Sequence, residues 1–288
     1  MAFDVLIVDD DAQTREYLGT FIRSAGFTTE AASDGAEALE KLERDTFSVI
    51  LLDVLLPGVD GLDVLARCVG KQIPSKIVVM TGVDTTETVL AALRGQAYDF
   101  IPKPIETARL IEIIKRALAA RQDAPPIQVL SARPEWVELL VPCTRESADR
   151  IHGFVQHLET DLPDDVSDSV GLAFRELLLN GIEWGGRLDP AQRVRVACIR
   201  TRRMLLYRIA DPGEGFSLDH LSHAAADNLS DVVTHDHVRQ QKGLRPGGFG
   251  LALIRAIADE LIYNERRNEV LFVKYLDEFG ATTRGPAA

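Results

Sequence analysis

The first 120 residues alternate between short apolar runs and longer amphipathic stretches, and this alternation is the strongest constraint on the fold. The runs are rich in Val, Ile and Leu and are typical of strands buried on both faces. They are Val5–Val8, Val49–Leu52, Ile77–Met80 and Phe100–Ile101. Apolar residues between them recur at helical spacing, and a last amphipathic stretch follows at 110–118. We therefore predict an α/β doubly wound parallel sheet.

The pattern changes after a short linker at 121–126. Two alternating segments, centred on Val196 and Tyr207, predict a β-hairpin that turns near Arg202 and Arg203. Other apolar segments predict strands at Ile127–Leu130, Leu139–Val141 and Val270–Leu276, and helices at Ser147–Glu159, Val166–Trp184 and Phe249–Leu261. Helices beside an antiparallel sheet form an α+β sandwich.

Length and charge limit the classes of function. The chain has 288 residues, enough for two domains, and a net charge of −12 that is shared equally by the two halves. Neither half therefore offers the basic face that nucleic-acid binding requires, and we expect no nucleic acid as partner. The sequence shows no membrane span or export signal, so we expect a cytoplasmic protein that does not bind membranes. Three separated cysteines predict core residues rather than a disulfide or zinc site: Cys68, Cys143 and Cys198.

Polar residues at the ends of the predicted parallel strands form the first candidate site. Asp9 and Asp10 follow the first strand, and Asp53, Thr81 and Lys103 follow later strands. Ligands in doubly wound sheets bind at the carboxyl ends of the strands, so we expect these side chains to meet. Clustered carboxylates favour Mg²⁺, and one of them can act as a nucleophile toward a phosphoryl group. Taken singly, each acid is as well explained as a helix cap or a loop residue.

Together these residues resemble the receiver domain of two-component response regulators. The resemblance rests on four segments, Val8–Asp10, Asp53–Gly61, Met80–Gly82 and Phe100–Pro104. It implies that Asp53 accepts phosphate from an upstream sensor histidine kinase and that Mg²⁺ is bound by Asp9, Asp10, Asp53 and the backbone of Leu55. It also implies that Lys103 pairs with the phosphoryl oxygens, that Thr81 and Phe100 form a switch, and that the Lys103–Pro104 peptide is cis.

This receiver-like segment departs from the family at two positions that tune dephosphorylation. They lie two residues after the acceptor and two after the switch threonine, and here they are Leu55 and Val83. An apolar side chain cannot orient a water molecule for attack on an acyl phosphate, so we expect slow loss of phosphate.

The second half contains three separated polar and glycine-rich segments, at 176–180, 211–216 and 245–251. Glu176 and Asn180 share a helix face, where an amide oxygen can bind a metal and a carboxylate can accept a proton. Asp211 follows a predicted strand and can accept a hydrogen bond from an exocyclic amine. Gly247, Gly248 and Gly250 open a predicted helix, whose N–H groups can receive phosphates. Each signal alone is weak, because such spacings are common on solvated helices and in turns.

In this order, the segments resemble the ATP-binding fold shared by gyrase, Hsp90, sensor histidine kinases and MutL, and most closely its subgroup of anti-sigma-factor serine kinases. That implies an ATP site with Asn180 on Mg²⁺, Asp211 on adenine, Gly213 and Gly215 at the base pocket, and Gly247, Gly248 and Gly250 beneath the phosphates. Residues 218–244 would form a lid. Trp184 is a departure, because many of these kinases carry histidine four residues after the asparagine.

These resemblances imply a response regulator with a receiver at 1–121, a linker with lead-in strands at 122–142, an ATP-binding domain at 143–277 and a tail at 278–288. We expect Glu176 to act as general base toward a partner's Ser or Thr hydroxyl. A non-catalytic ATP-dependent switch that sequesters a sigma factor or another signalling protein stays open, as does a degraded histidine-kinase-like ATPase acting on Asp53. The identity of the downstream partner and the formation of a homodimer also stay open.

Overall fold

A computed structural model describes residues 2–82, 85–120, 125–158, 162–215 and 250–276. The chain divides into two compact units, Met1–Ala124 and Pro125–Ala288. Several sequence predictions fall outside the described residues: Val83, Gly247, Gly248, the lid at 218–244 and the tail at 278–288.

The first unit alternates strands and helices along the chain, as its apolar pattern predicts. Its described elements are β1 (Ala2–Val8), α1 (Ala12–Ser24), β2 (Thr29–Ala32), α2 (Gly35–Arg44), β3 (Thr46–Asp53), α3 (Gly61–Gly70), β4 (Lys76–Thr81), α4 (Thr86–Arg94), β5 (Asp99–Pro102) and α5 (Thr107–Ala119).

The five strands form one parallel sheet in the order β2-β1-β3-β4-β5. This is the flavodoxin-like doubly wound order, and it confirms the predicted fold class of the first unit. Strand residues such as Val5, Leu51 and Val78 are fully buried, because helices cover both faces of such a sheet. All strands run the same way, so β1, β3, β4 and β5 end at one edge.

The second unit is built from antiparallel strands and a helical layer, as predicted. Its described elements are β6 (Gln128–Arg133), β7 (Trp136–Pro142), α6 (Arg145–His157), α7 (Asp164–Asn180), a π-helical turn (Gly181–Gly185), β8 (Arg193–Arg200), β9 (Met204–Ala210), α8 (Gly250–Ile257), β10 (Glu260–Tyr263) and β11 (Glu269–Tyr275). The strand order is β10-β11-β9-β8-β7-β6.

The core of the second unit lies between this sheet and its helices. Tyr207 of β9 packs on Phe174 of α7, with ring centroids 4.8 Å apart, and on Phe272 of β11 at 5.8 Å. Helices α6 and α7 also meet closely, since a Cβ on Gly171 would lie 3.4 Å from the side chains of His152 and Gln156. His152 is thus a packing residue of the helical layer.

Sequence reasoning was wrong about one helix and passed over two elements. The helix predicted at Phe249–Leu261 ends at Ile257 in the structure, and β10 begins at Glu260 after two intervening residues. Leu261 pairs with Phe272 of β11, so strand pairing overrides the helical pattern there. The pattern also did not single out β2, a four-residue edge strand, or α3. The three cysteines are buried, as predicted. Among the described residues, no helix is both long and apolar enough to cross a membrane.

Candidate functional site

Three aspartates meet at the carboxyl edge of the parallel sheet. Asp9 directly follows β1 and Asp53 is the last residue of β3, and both are buried at 0% and 4% exposure, whereas Asp10 is exposed. One carboxylate oxygen of each of the three lies within 4.8 Å of the other two. Oxygen ligands gathered in this way suit a hard cation such as Mg²⁺. The structure therefore brings together the acids that the sequence places at strand ends.

Lys103 links the two buried acids of this cluster. It follows β5, and its Nζ donates to Oδ2 of Asp9 at 2.7 Å and to Oδ2 of Asp53 at 2.5 Å. The Lys103–Pro104 peptide bond is cis, as the family resemblance implied. A buried charge is stable only when it is paired, and Lys103 supplies that pairing for both carboxylates.

The burial of the cluster changes its proton affinities. Desolvation raises the pKa of Asp53, and Lys103 opposes this only in part. For Lys103, desolvation favours the neutral amine, but its hydrogen bonds to Asp53 and Asp9 outweigh that effect and raise its pKa. Lys103 is thus held in the charged form that stabilises oxyanions beside it.

Backbone contacts fix the oxygens of Asp53. The N–H of Leu55 donates to Oδ1 of Asp53 at 3.2 Å, while the Leu55 side chain is 55% exposed. Gly61 lies so close to the end of β3 that a Cβ on it would stand 1.9 Å from the carbonyl oxygen of Asp53. Only glycine allows α3 to begin against the strand in this way, so Gly61 helps to define the site.

The two residues expected to form the switch are both fully buried. Thr81 ends β4 and Phe100 lies in β5, each with 0% exposure. The N–H of Lys103 donates to the carbonyl oxygen of Thr81 at 2.7 Å, which ties the ends of β4 and β5 together. The ring of Phe100 therefore already lies inside the unit in the unphosphorylated structure.

The first part of the second candidate site lies on α7. Glu176 and Asn180 are four residues apart near its end, as predicted, and both are partly buried. A Cβ on Gly250 would lie 2.7 Å from Oε2 of Glu176, so the glutamate sits against the first residue of α8. The π-helical turn begins directly after Asn180, and such turns are frequent at functional sites. Trp184, within that turn, is 53% exposed.

Asp211 lies in a cradle of glycines at the end of β9. A Cβ built on Gly185 would stand 2.0 Å from Oδ1 of Asp211, and one built on Gly213 would stand 2.8 Å from the same oxygen. A Cβ built on Gly181 would lie 3.5 Å from the Cβ of Asp211. The N–H of Gly213 donates to Oδ1 at 2.8 Å, and burial raises the pKa of the carboxyl group. A partly buried carboxylate beside bare backbone is suited to recognise a flat polar ligand.

The loop that carries Asp211 rests on the turn between β10 and β11. Gly215 has φ +85°, and a Cβ on it would stand 1.5 Å from the carbonyl oxygen of Arg266. Position 215 therefore requires glycine, both because its φ is positive and because a Cβ there would clash with the backbone of Arg266. The side chain of Asn268 in this turn donates to the carbonyl oxygens of Asp211 at 3.3 Å and Gly213 at 3.2 Å.

Comparisons with known proteins assign both units. Residues 5–115 match the family model of the response regulator receiver domain. The DNA-binding response regulator MtrA of Mycobacterium leprae is 32% identical over 209 residues, which is 72% of this chain and 90% of that protein. The chain belongs to the response regulators. Transcriptional regulatory protein FixJ of Bradyrhizobium diazoefficiens is 33% identical over 120 residues, 42% of this chain and 58% of that protein.

The second unit of this response regulator matches a different family model. Residues 141–274 correspond to the histidine kinase-like ATPase domain. The fused architecture that the sequence resemblances implied is thereby confirmed, a receiver domain followed by an ATPase-like domain.

Solved structures similar to this response regulator include receiver domains. The receiver domain of NtrX from Brucella abortus is 32% identical, with a TM-score of 0.39, and covers 41% of this chain and 100% of that one. A CheY-like receiver from Methanospirillum hungatei is 29% identical, with a TM-score of 0.39, and covers 41% and 94%. The similar MtrA proteins are named as DNA-binding, which fits poorly with the expectation that nucleic acid is not a partner.

Sequence reasoning missed three residues at these sites. Arg15 donates from Nη1 to the carbonyl oxygen of Asp9 at 2.6 Å and so holds the chain beside the acidic cluster. Gly185 belongs to a Gly-Gly pair five residues after Asn180, and that pair was a usable signal for close packing. Asn268 lies 57 residues from Asp211 in the sequence, and no local pattern marks it.

Proposed function

We propose that this response regulator takes up a phosphoryl group on Asp53 and thereby controls an ATP-binding module that phosphorylates a Ser or Thr hydroxyl of a partner protein. The observation that carries the proposal is the presence, in one chain, of a lysine-bridged acidic cluster and of Asp211 in its glycine cradle. We assign the upstream phosphodonor to a sensor histidine kinase and the site of action to the cytoplasm.

At the receiver site, one carboxylate oxygen of Asp53 forms a bond to phosphorus as the bond to the donor's leaving group breaks. Nζ of Lys103 lies 2.5 Å from Oδ2 of Asp53, and the amine is held in its charged form. Lys103 therefore stabilises the negative charge on the transferred group. The acidic cluster fits Mg²⁺, which would be held by Asp9, Asp10 and Asp53. The cation would supply charge neutralisation that these clustered carboxylates lack by themselves.

In the ATPase-like unit, we assign Asp211 to the exocyclic amine of adenine and Gly213 and Gly215 to the walls of the base pocket. Gly185 lies so close to Asp211 that any side chain there would displace the carboxylate, so a glycine at this position keeps Asp211 in place for the base. We assign Asn180 to the Mg²⁺ that accompanies the ATP phosphates, and Gly247, Gly248 and Gly250 to the phosphates themselves.

The proposed kinase step uses Glu176 as general base. The substrate hydroxyl oxygen forms a bond to the γ-phosphorus, the bond from that phosphorus to the bridging oxygen breaks, and ADP leaves. The hydroxyl proton passes to Glu176, which lies against the start of α8, where the phosphate-binding glycines lead. This step matches the resemblance to anti-sigma-factor serine kinases.

A non-catalytic switch is the main alternative. In that case ATP would shape a surface that sequesters a sigma factor or another signalling protein, without transfer. Incubation of the full chain with γ-labelled ATP and candidate partners separates the two functions. Acid-stable phosphate on the partner that disappears in Glu176→Gln supports the kinase, whereas retained ATP binding without transfer supports the switch.

The same incubation also tests the degraded histidine-kinase activity toward Asp53. Label on this chain that is sensitive to hydroxylamine and absent from Asp53→Asn is an acyl phosphate on Asp53. Appearance of that label without any partner would favour this third function over the first two.

DNA binding is a further candidate, favoured only by the names of similar regulators. The net charge of −12 argues against it, because counterion release needs clustered Lys and Arg. Fluorescence anisotropy with a mixed pool of labelled duplexes, with and without beryllofluoride, tests this function directly. Salt-dependent binding of the duplexes at low ionic strength would contradict the expectation that nucleic acid is not a partner.

A further inference from the structure

We infer that Asn268 is a positioning residue that sets the nucleobase selectivity of the ATPase-like unit by fixing the carboxylate of Asp211. The inference rests on the ATP site proposed above and deepens it. Asn268 lies outside the three segments from which that site was recognised.

The side-chain amide of Asn268 bridges the two ends of a short stretch of backbone. Its Nδ2 donates to the carbonyl oxygens of Asp211 at 3.3 Å and of Gly213 at 3.2 Å. The backbone of Asn268 accepts as well, because the N–H of Asp211 donates to its carbonyl oxygen at 2.8 Å. Three hydrogen bonds thus hold residues 211–213 on one asparagine.

The orientation of that amide is itself fixed. Asn264 donates from Nδ2 to Oδ1 of Asn268 at 2.8 Å, and its Oδ1 accepts from the N–H of Asn268 at 3.1 Å. With its oxygen engaged by Asn264, Asn268 must present its NH₂ group to the loop. The two asparagines therefore act as one unit within the turn between β10 and β11.

The consequence for Asp211 is geometric. The N–H of Gly213 binds Oδ1 of Asp211 at 2.8 Å, so a fixed Gly213 holds the carboxylate at one angle. Gly185 lies against the same carboxylate, since a Cβ built on Gly185 would stand 2.0 Å from Oδ1 of Asp211. Because Oδ1 is engaged by Gly213, we assign Oδ2 to the ligand. Its natural partner is an amino group on a flat ring, which makes a 6-aminopurine the preferred base.

Asn268→Asp is the sharpest test, because it keeps the size and shape of the side chain but replaces the NH₂ donor by an acceptor. The full chain is titrated with ATP and with purine riboside triphosphate, which lacks the 6-amino group, each with Mg²⁺. We expect the wild type to prefer ATP by about tenfold, the size of one well-made hydrogen bond. In Asn268→Asp this preference falls to about twofold or less, whereas the affinity for the analogue changes little.

Two further variants separate positioning from a general structural effect. Glu265→Gln, in the same turn and exposed, keeps the wild-type preference. In an Asp211→Asn background, Asn268→Asp causes no further loss of selectivity, because it acts through Asp211. Equal weakening of both ligands in Asn268→Asp would overturn the inference, since selectivity rather than affinity is the predicted property.

Amide hydrogen exchange of Gly213 in the nucleotide-free protein provides a measurement that does not need a ligand. We expect the exchange of the Gly213 amide to become at least about tenfold faster in Asn268→Asp. In Glu265→Gln we expect the same exchange rate as in the wild type. Unchanged exchange in Asn268→Asp would overturn the positioning role even if ATP binds. Failure of the wild type to bind ATP would overturn the proposed nucleotide site, whereas ATP binding with no preference over the analogue would overturn this inference and leave the site in place.

Discussion

Gly185 lies so close to Asp211 that a Cβ on the glycine would stand 2.0 Å from the carboxylate oxygen Oδ1. The contact joins the π-helical turn after α7 to the end of β9. It makes the absence of a side chain at position 185 a condition for the position of Asp211.

Gly185→Ala is therefore expected to displace the Asp211 carboxylate and to weaken ATP binding by at least about tenfold, because the ligand loses an aligned hydrogen bond. Gly70→Ala is a matched control, since a Cβ on Gly70 meets nothing within 4 Å. Isothermal titration calorimetry with ATP and Mg²⁺ measures both variants. Unchanged affinity in Gly185→Ala would show that the ligand does not depend on Asp211.

Asp53→Asn is expected to abolish modification by acetyl phosphate with Mg²⁺, because the amide cannot form the acyl phosphate. Asp63→Asn, which replaces an exposed acid in α3, is expected to label like the wild type. Intact-protein mass spectrometry gives the occupancy. If phosphate persists on Asp53→Asn, the acceptor is another residue.

Leu55→Asn is expected to shorten the lifetime of the phosphorylated state by about tenfold. The Leu55 side chain is exposed beside Asp53, and a polar group there can orient an attacking water molecule. Release of phosphate from the purified, phosphorylated chain measures the half-life, with Leu55→Met as a control of similar size. A half-life equal to or longer than that of the wild type would argue against water positioning as the limiting factor.

Asp211→Asn is expected to stabilise the nucleotide-free protein at neutral pH while weakening ATP binding. Burial raises the pKa of Asp211, so the folded state holds the proton more tightly than the unfolded state does. Stability from this group is present below the ordinary pKa of about 3.9 and is lost as pH rises through the folded-state pKa. The neutral amide avoids that loss and still accepts from Gly213.

The measurement is the melting temperature of Asp211→Asn and wild type between pH 4 and 7. We expect a higher melting temperature for the variant than for the wild type at pH 7, and a difference that shrinks toward zero as the pH approaches 4. A gain that does not vary with pH would have a cause other than ionisation of Asp211.

Phosphorylation of Asp53 is expected to change the ATP affinity of the second unit by about fivefold, since the coupling free energy between two sites amounts to a few kcal/mol at most. Titration of ATP with and without beryllofluoride measures this coupling. Thr81→Ala is expected to bind beryllofluoride but to lose most of the effect, because it removes the hydroxyl through which Thr81 can respond to the phosphoryl group. Identical ATP affinities in the wild type, with receiver occupancy confirmed, would mean that the two units do not communicate.

The sequence by itself determined the class of both sheets and most of the acidic cluster. Runs such as Val49–Leu52 predict a buried strand from their own composition, and Asp53 follows because its place at a strand end is local information. In a parallel sheet, all such ends lie at one edge. Asp9, Asp53 and Lys103 therefore come together without any knowledge of side-chain geometry.

Only the tertiary structure decided which residues hold Asp211. Gly185 and Asn268 approach it from different elements, and their contacts depend on strand register and helix packing rather than on neighbours in the chain. Strand β10 illustrates the same limit, because its first two residues fall within the predicted helix, whereas in the structure Leu261 pairs with Phe272. Hydrogen bonds between distant segments are satisfied globally, so local periodicity predicts the elements but not these contacts.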